Sequence, residues 1–95
     1  MSKAGEYSLY IVRCVDGTLY TGIAIDVEHR IREHESCTRR AKYLRGRGPL
    51  NLEFSERLGD RARAQQFEYR VKQLERDRKE ALIAGHCTLA EFLPD

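Results

Sequence analysis

What the chain lacks narrows its class first. Tryptophan is absent, proline occurs twice, and there are three cysteines among 95 residues. Cys14, Cys37 and Cys87 are odd in number, widely spaced and without a C-x-x-C pair. A secreted disulfide scaffold uses an even and denser set, so reduced thiols and a cytoplasmic location are expected. No apolar run approaches the roughly 20 residues of a membrane-spanning helix. The opening Met-Ser-Lys-Ala-Gly-Glu has none of the apolar core of a signal peptide. Domains usually run to about 100–150 residues, which leaves no room for a second core. Residues 1–95 are therefore read as one domain. With 41% hydrophobic and 34% charged residues, the composition is that of a globular chain, not a disordered one.

Net charge is also scarce: 17 Lys and Arg face 15 Asp and Glu, for a total of +2. Taken whole, that value points to no polyanionic partner. One absence is local, however. No acid stands between Ser36 and Asn51, a window that holds Arg39, Arg40, Lys42, Arg45 and Arg47. The window carries +5, so the rest of the chain sums to −3 against the total of +2. Gly46, Gly48 and Pro49 make it a loop, and Tyr43 sits among the cations. Such a loop can grip a nucleic-acid backbone and stack a base, although a run this short is more often a solvated surface.

Periodicity gives an element order of β-β-α-β-α-α. Ser8 to Val15 is nearly continuous in β-formers, ends at Asp16-Gly17 and is followed by Thr18 to Ile23, a hairpin signal. Apolar residues at both parities of the first strand predict that both sheet faces are covered. Two registers are open. A two-residue turn pairs Cys14 with Leu19 and sends Tyr10 and Tyr20 to opposite faces. A three-residue loop with Gly17 in the left-handed region pairs Cys14 with Thr18, so that Tyr10, Val12, Cys14, Tyr20 and Gly22 share a face.

Asp26 can cap a helix that begins at Val27, with Val27 and Ile31 turned inward and Arg30 and His34 as i, i+4 neighbours beside them. Leu50 to Glu56 alternates as a half-buried third strand, with Leu50, Leu52 and Phe54 on one side. Gly59-Asp60 opens a helix from about Arg61 to Glu75, striped by Ala64, Phe67, Val71 and Leu74. Glu68 borders that stripe, and Lys72 follows one turn later. A helix over Arg78–Ala84 stops at Gly85, and Thr88 with Glu91 has capping-box spacing. The fold class is thus α/β (α+β): a small mixed sheet of about three strands flanked by helices.

Tyr10 in Ser8-Leu9-Tyr10, then Tyr20-Thr21-Gly22, Arg30, His34 and Glu68 form an ordered series that resembles the GIY-YIG nuclease superfamily. Arg61 to Leu74, especially Phe67 to Leu74, is similar to its small stand-alone bacterial branch, the UPF0213-like proteins. The resemblance covers nearly the whole chain. The first motif reads Ser-Leu-Tyr where the superfamily has Gly-Ile-Tyr, and Ile23 stands where some members have a polar residue. The active-site Asn of some members has no counterpart, because the only Asn is Asn51 on the third strand.

This resemblance implies hydrolysis of phosphodiester bonds, in DNA in preference to RNA and with low sequence specificity, by Tyr10, Tyr20, Arg30, His34 and Glu68. It also implies one divalent ion, Mg2+ or Mn2+, held by Glu68, since one carboxylate with waters and substrate oxygens suffices for such an ion. Arg30 offers a donor fork matched to phosphate. Tyr10 or Tyr20 would position or deprotonate water, against an ordinary pKa near 10. His34 would act as acid or base. Arg39, Arg40, Lys42, Tyr43, Arg45, Arg47 and Lys72 would contact nucleic acid, and Gly22 would let substrate approach the backbone.

Singly, each of these residues has an ordinary role: strand tyrosines close cores, Arg30 lies on a helix surface, and Glu68 with Lys72 has the spacing of an ion pair. A zinc set of His29, His34 and Cys37 with Cys14 or Cys87 matches no common structural-zinc spacing. Two other function classes fit the same chain. One is a non-catalytic nucleic-acid-binding module, and the other an interaction domain recruited to a repair or ribonucleoprotein assembly.

Overall fold

The computed structural model describes residues 5–36 and 50–92, with the side chains of 34–36 and 92 outside the description. Strands β1 (Tyr7–Arg13) and β2 (Leu19–Ala24) precede helix α1 (Val27–Ser36). Strand β3 (Asn51–Gly59), helices α2 (Arg61–Lys72) and α3 (Arg76–Ala84), and a 3-10 turn over Leu89–Phe92 follow. Element order and strand number are those expected. The sheet order is β2-β1-β3. Both pairings are antiparallel, which corrects the expectation of a mixed sheet.

The three-residue hairpin loop is the one that forms. Cys14 N–H donates to Thr18 O at 2.8 Å, and Gly17 N–H donates to Cys14 O at 2.9 Å. Gly17 takes φ +88°, a conformation that costs a side chain and costs glycine little. Asp16 Oδ1 fixes the far side by accepting from Thr18 N at 3.1 Å and from Thr18 Oγ1 at 2.7 Å.

β1 is the central strand and is buried on both faces: Leu9, Ile11 and Val12 are fully buried and Tyr10 is 1% exposed. On one face Leu9 and Ile11 join Ala64, Phe67 and Val71 of α2, Leu82 of α3, and Leu89. On the other, Tyr10, Val12 and Cys14 pack with Ala24, Ile31 of α1, and Leu50. Truncating a core residue such as Phe67 would cost about 3–5 kcal/mol.

The alternation foreseen for the third strand fails at one point. Ile11 pairs with Phe54 and Val12 with Leu52, so Glu53 is an extra residue in a bulge. Phe54 therefore packs on the α2 side, while Leu50 joins the α1 side and Leu52 is left 44% exposed.

Helix ends follow local chemistry. Asp60 Oδ1 accepts from Arg63 N at 2.8 Å and caps α2. α2 stops at Lys72, short of the expected Glu75. Gln73 N–H and Leu74 N–H turn to carbonyls three residues back, and Glu75 is extended (ψ 162°), so that α3 begins at Arg76 instead of Arg78. Gly85 ends α3 at φ +84°, and Glu91 accepts from Thr88 N at 3.2 Å. Among the described residues no helix is long and apolar enough to cross a membrane.

An ionic cluster ties the hairpin to α3. Arg13 Nη1 and Nη2 donate to the two carboxylate oxygens of Glu80 at 2.9 and 2.8 Å, and Arg13 Nε donates to Glu53 at 3.2 Å. Arg76 Nη2 donates to Gly17 O at 2.7 Å and also reaches Glu80. The Arg13 hydrogen bonds hold the Glu80 carboxyl down at about 2. A depressed carboxyl contributes stability above its ordinary value of 4.5 and loses it as pH falls through about 2. Glu80→Gln is expected to lower the melting temperature most above pH 4.5, with the gap to wild type closing towards pH 2. Calorimetry across that range checks it, and a pH-independent gap would contradict the linkage.

Candidate active site

With Cys14 opposite Thr18, the ladder pairs Val12 with Tyr20 and Tyr10 with Gly22. Tyr10 and Tyr20 therefore lie on the same sheet face, towards α1. Gly22 is what permits this. A Cβ at residue 22 would lie 2.6 Å from Tyr10 Oη and 2.7 Å from Cζ, inside van der Waals contact. What approaches the Gly22 backbone is thus the ring of Tyr10, a side chain of the protein itself.

α1 is placed by its cap: Asp26 Oδ1 accepts from His29 N at 3.1 Å, and Asp26 O accepts from Arg30 N at 3.0 Å. Ile31 faces the core, which turns Arg30 outward over the tyrosines. α2 lies across the opposite face, anchored by Ala64, Phe67 and Val71, and presents Glu68 beside them. Because β2 is an edge strand, the two helices approach each other across that edge. The gap is a cleft of about 540 Å3 whose lining includes Tyr10, Tyr20, Arg30 and Glu68.

Electrostatics within the cleft are paired but not closed. Glu68 is 3.4 Å from Lys72 Nζ and its side chain is 23% exposed. The Lys72 ammonium also lies 5.8 Å over the Tyr20 ring, a cation–π arrangement. Arg30 Nη1 is 3.6 Å from Glu33 Oε1, and His29 Nε2 is 3.3 Å from Glu33 Oε2. Arg30 also hydrogen-bonds Tyr10. Burial pushes the Tyr10 phenol up to about 12, with Tyr20 and Glu68 adding to the rise and Arg30 opposing it. A cationic neighbour makes a phenol more acidic by stabilising its phenolate. Arg30 is in place, but for Tyr10 desolvation outweighs it.

Four of the five residues proposed from sequence are thus brought together from four different elements. The fifth, His34, belongs to α1, but its side chain lies outside the described residues. Arg39, Arg40, Lys42, Tyr43, Arg45 and Arg47 also lie outside them. Lys72 sits at the cleft through Glu68 and Tyr20.

Sequence reasoning missed Tyr7, Asp26 as a lining residue, His29, Glu33, Arg61 and Gln65. Most had a signal in helical spacing. Arg61, Gln65 and Glu68 are i, i+4 and i+7 on α2, and Asp26, Arg30 and Glu33 repeat that spacing on α1. Tyr7 had none.

The donor set can be tested against a metal. Among the described residues no group of three or more His, Cys, Asp and Glu could hold one. Of the zinc set weighed from sequence, Cys37 and the side chain of His34 lie outside the described residues, while Cys14 and Cys87 pack in different cores. Glu68 is a hard oxygen donor lining an open cleft. A Mg2+-like ion, which keeps several waters and takes one or two carboxylates plus phosphate oxygens, fits that donor; zinc does not.

Comparison with known proteins follows the same line. A family model described as the GIY-YIG catalytic domain matches residues 6–81. The UPF0213 protein YhbQ of Escherichia coli O1:K1 is 51% identical over 85 residues, covering 90% of this chain and 84% of its own length. The solution structure of the UPF0213 protein BH0048 from Bacillus halodurans is similar at 42% identity and a TM-score of 0.54, over 83% of each chain. That of protein EF2693 from E. faecalis is similar at 31% identity and a TM-score of 0.62, over 90% of this chain and 91% of its own.

Two outcomes test the Tyr10 environment. Gly22→Ala is expected to destabilise the fold by about 1–3 kcal/mol in urea, the usual cost of overpacking. An unchanged midpoint would mean that Tyr10 does not occupy the space over residue 22. With five tyrosines and no tryptophan, phenolate absorbance can be followed cleanly. Tyr10→Phe should remove an ionisation at about 12. The stability linked to it is whole below pH 10 and is lost as pH rises through about 12.

Proposed function

The chain belongs to the GIY-YIG catalytic domain family, and from that premise we propose that it is an endonuclease-type hydrolase of nucleic-acid phosphodiester bonds. It would use one divalent ion, Mg2+ or Mn2+, and act on DNA in preference to RNA. The observation that carries the reading is the convergence of Tyr10, Tyr20, Arg30 and Glu68, from β1, β2, α1 and α2, on one cleft. Ordinary structural roles would not require two phenols, a guanidinium and a carboxylate from four elements to meet at a solvent-open edge.

Each residue has a task that its setting supports. Arg30 presents part of its guanidinium to solvent and can take a phosphate oxygen with its fork of donors. Tyr10, protonated at neutral pH, orients that guanidinium by accepting its hydrogen bond. Either tyrosine acts on water as a hydrogen-bonding phenol, and a base role requires the proton on Oη to leave within the substrate complex. Glu68 is the residue that would hold the ion, which supplies charge neutralisation on the phosphate. Protonation of the leaving oxygen falls to an imidazole of α1: His34 by the family resemblance, with His29 beside Glu33 in the same cleft.

Specificity is low on this reading, because phosphate contacts position a protein without reading bases. The whole of residues 1–95 is proposed to work as one domain.

The test is cleavage of labelled duplex, branched and single-stranded DNA, and of RNA, with Mg2+ or Mn2+. Arg30→Ala and Glu68→Gln are each expected to slow cleavage by about 10²–10³-fold, the usual cost of removing one electrostatic stabiliser, with melting temperatures near wild type. Tyr10→Phe and Tyr20→Phe should fall in the same direction. Wild-type protein that binds these substrates but leaves all of them intact would instead favour a non-catalytic binding module.

A further inference from the structure

Beyond the cleft, β2 continues to the hairpin turn, and a second set of cations flanks that end. A gap of about 180 Å3 between the turn and α3 is lined by Thr18, Leu19, Arg76 and Lys79. Arg76 and Lys79 are i, i+3 on α3 and so project from one face. Among the described residues no acid lines the gap. Two carboxylates beside its lining residues are engaged: Asp16 accepts from Thr18, and Glu80 is held by Arg13 and Arg76.

Arg76 is fixed through Nε and Nη2, by Glu80 and by Gly17 O. That leaves the Nη1 donors for a ligand, since a guanidinium carries five N–H groups. Its side chain is 54% exposed. Lys72, over Tyr20, stands between this gap and the cleft. Cations thus follow one edge strand from Arg30 and Arg61 at the cleft, through Lys72, to Arg76 and Lys79 at the turn. The four steps from Gly22 to Thr18 span about 13 Å at strand rise, or roughly four base-pair steps of duplex axis.

We propose that Arg76 and Lys79 form a phosphate subsite outside the cleft that holds the sugar-phosphate backbone of the nucleic acid whose scissile bond lies at Arg30 and Glu68. The proposal rests on the nucleic-acid reading of the cleft and deepens it, because it assigns a backbone path carried by described residues of α2 and α3. Continuity along β2 is what selects a nucleic acid over another polyanion. A rigid guanidinium and a mobile ammonium in line with a hydrolytic cleft match a repeating phosphodiester, and the partner's own sequence is not read there.

Binding of a labelled random-sequence duplex is measured by fluorescence anisotropy against salt, with chelator present so that no cleavage runs. Lys79→Gln is the main variant, because it leaves the Arg76–Gly17 tie intact. It should weaken binding severalfold at low salt and make the slope of log K against log salt shallower by about one. Arg76→Gln should act in the same direction. Arg57→Gln, on the opposite edge strand β3 and paired with Glu6 at 3.4 Å, should change neither.

Three results would overturn the proposal: a wild-type salt slope in Lys79→Gln, an equal loss in Arg57→Gln, or no binding by the wild type. Failure of the catalytic reading looks different. There, Lys79→Gln still weakens binding while the wild type cleaves nothing when Mg2+ is restored.

Discussion

Everything in the cleft depends on Tyr10 lying opposite Gly22 across the β1–β2 ladder, a pairing set by the hairpin register and possible only because residue 22 has no Cβ. Shift the register by one residue and Tyr10 faces Ile23, while Tyr20 moves to the other side of the sheet. The phenol would then meet a branched side chain where it now meets bare backbone. Arg30 and Glu68 would still be carried by their helices, but they would converge on a different strand face. The positive φ of Gly17 and the Asp16 contacts to Thr18 hold this register locally. The ionic cluster of Arg13, Glu80 and Arg76 then ties the same turn to α3. A short turn remote from the chemistry thereby fixes which side chains can share a site.

Much of this was legible in the residues, and the parts that were not have identifiable causes. Strand, helix and cap signals placed every element within a few residues, because Asp26, Asp60, Gly85 and the Thr88–Glu91 pair are strong local punctuation. The hairpin register stayed open because Asp16-Gly17 suits two loop types. The deciding signal was non-local: a tyrosine buried on a central strand needs a residue without a Cβ opposite, and Gly22 offers that in one register only. The bulge at Glu53 was not readable, since Leu50, Leu52 and Phe54 fit a single-faced period of two. Only the pairing with β1 shows that the parity changes.

The charge pattern shifts in meaning in the same way. Net charge of +2 described an average, and the sequence located one acid-free window within it. Folding adds a second grouping that no window reveals, because Arg30, Arg61, Lys72, Arg76 and Lys79 are spread across three helices. They align because β2 is an edge strand that α1, α2 and α3 all approach. Many of the chain's acids are meanwhile drawn into pairs with arginines and lysines, including Glu80 with Arg13, Glu33 with Arg30 and Glu68 with Lys72. Glu33, Glu68 and Glu80 stand on that same edge with Arg30, Lys72 and Arg76, so the edge carries paired charges and is not a bare cationic stripe.

Tyr10 illustrates how a buried neutral group serves a charged one. A carboxylate in its place would orient Arg30 as well, but it would cancel the charge that a phosphate needs, and its burial would carry a desolvation cost. A phenol pushed up to about 12 stays neutral at physiological pH, accepts the hydrogen bond and leaves the guanidinium's charge available. Glu33, at 3.6 Å and on the solvent side, offsets part of that charge without closing the fork. The desolvation that makes Tyr10 a reluctant base thus also makes it a suitable support for Arg30. Both consequences follow from one packing decision, the absence of a side chain at Gly22.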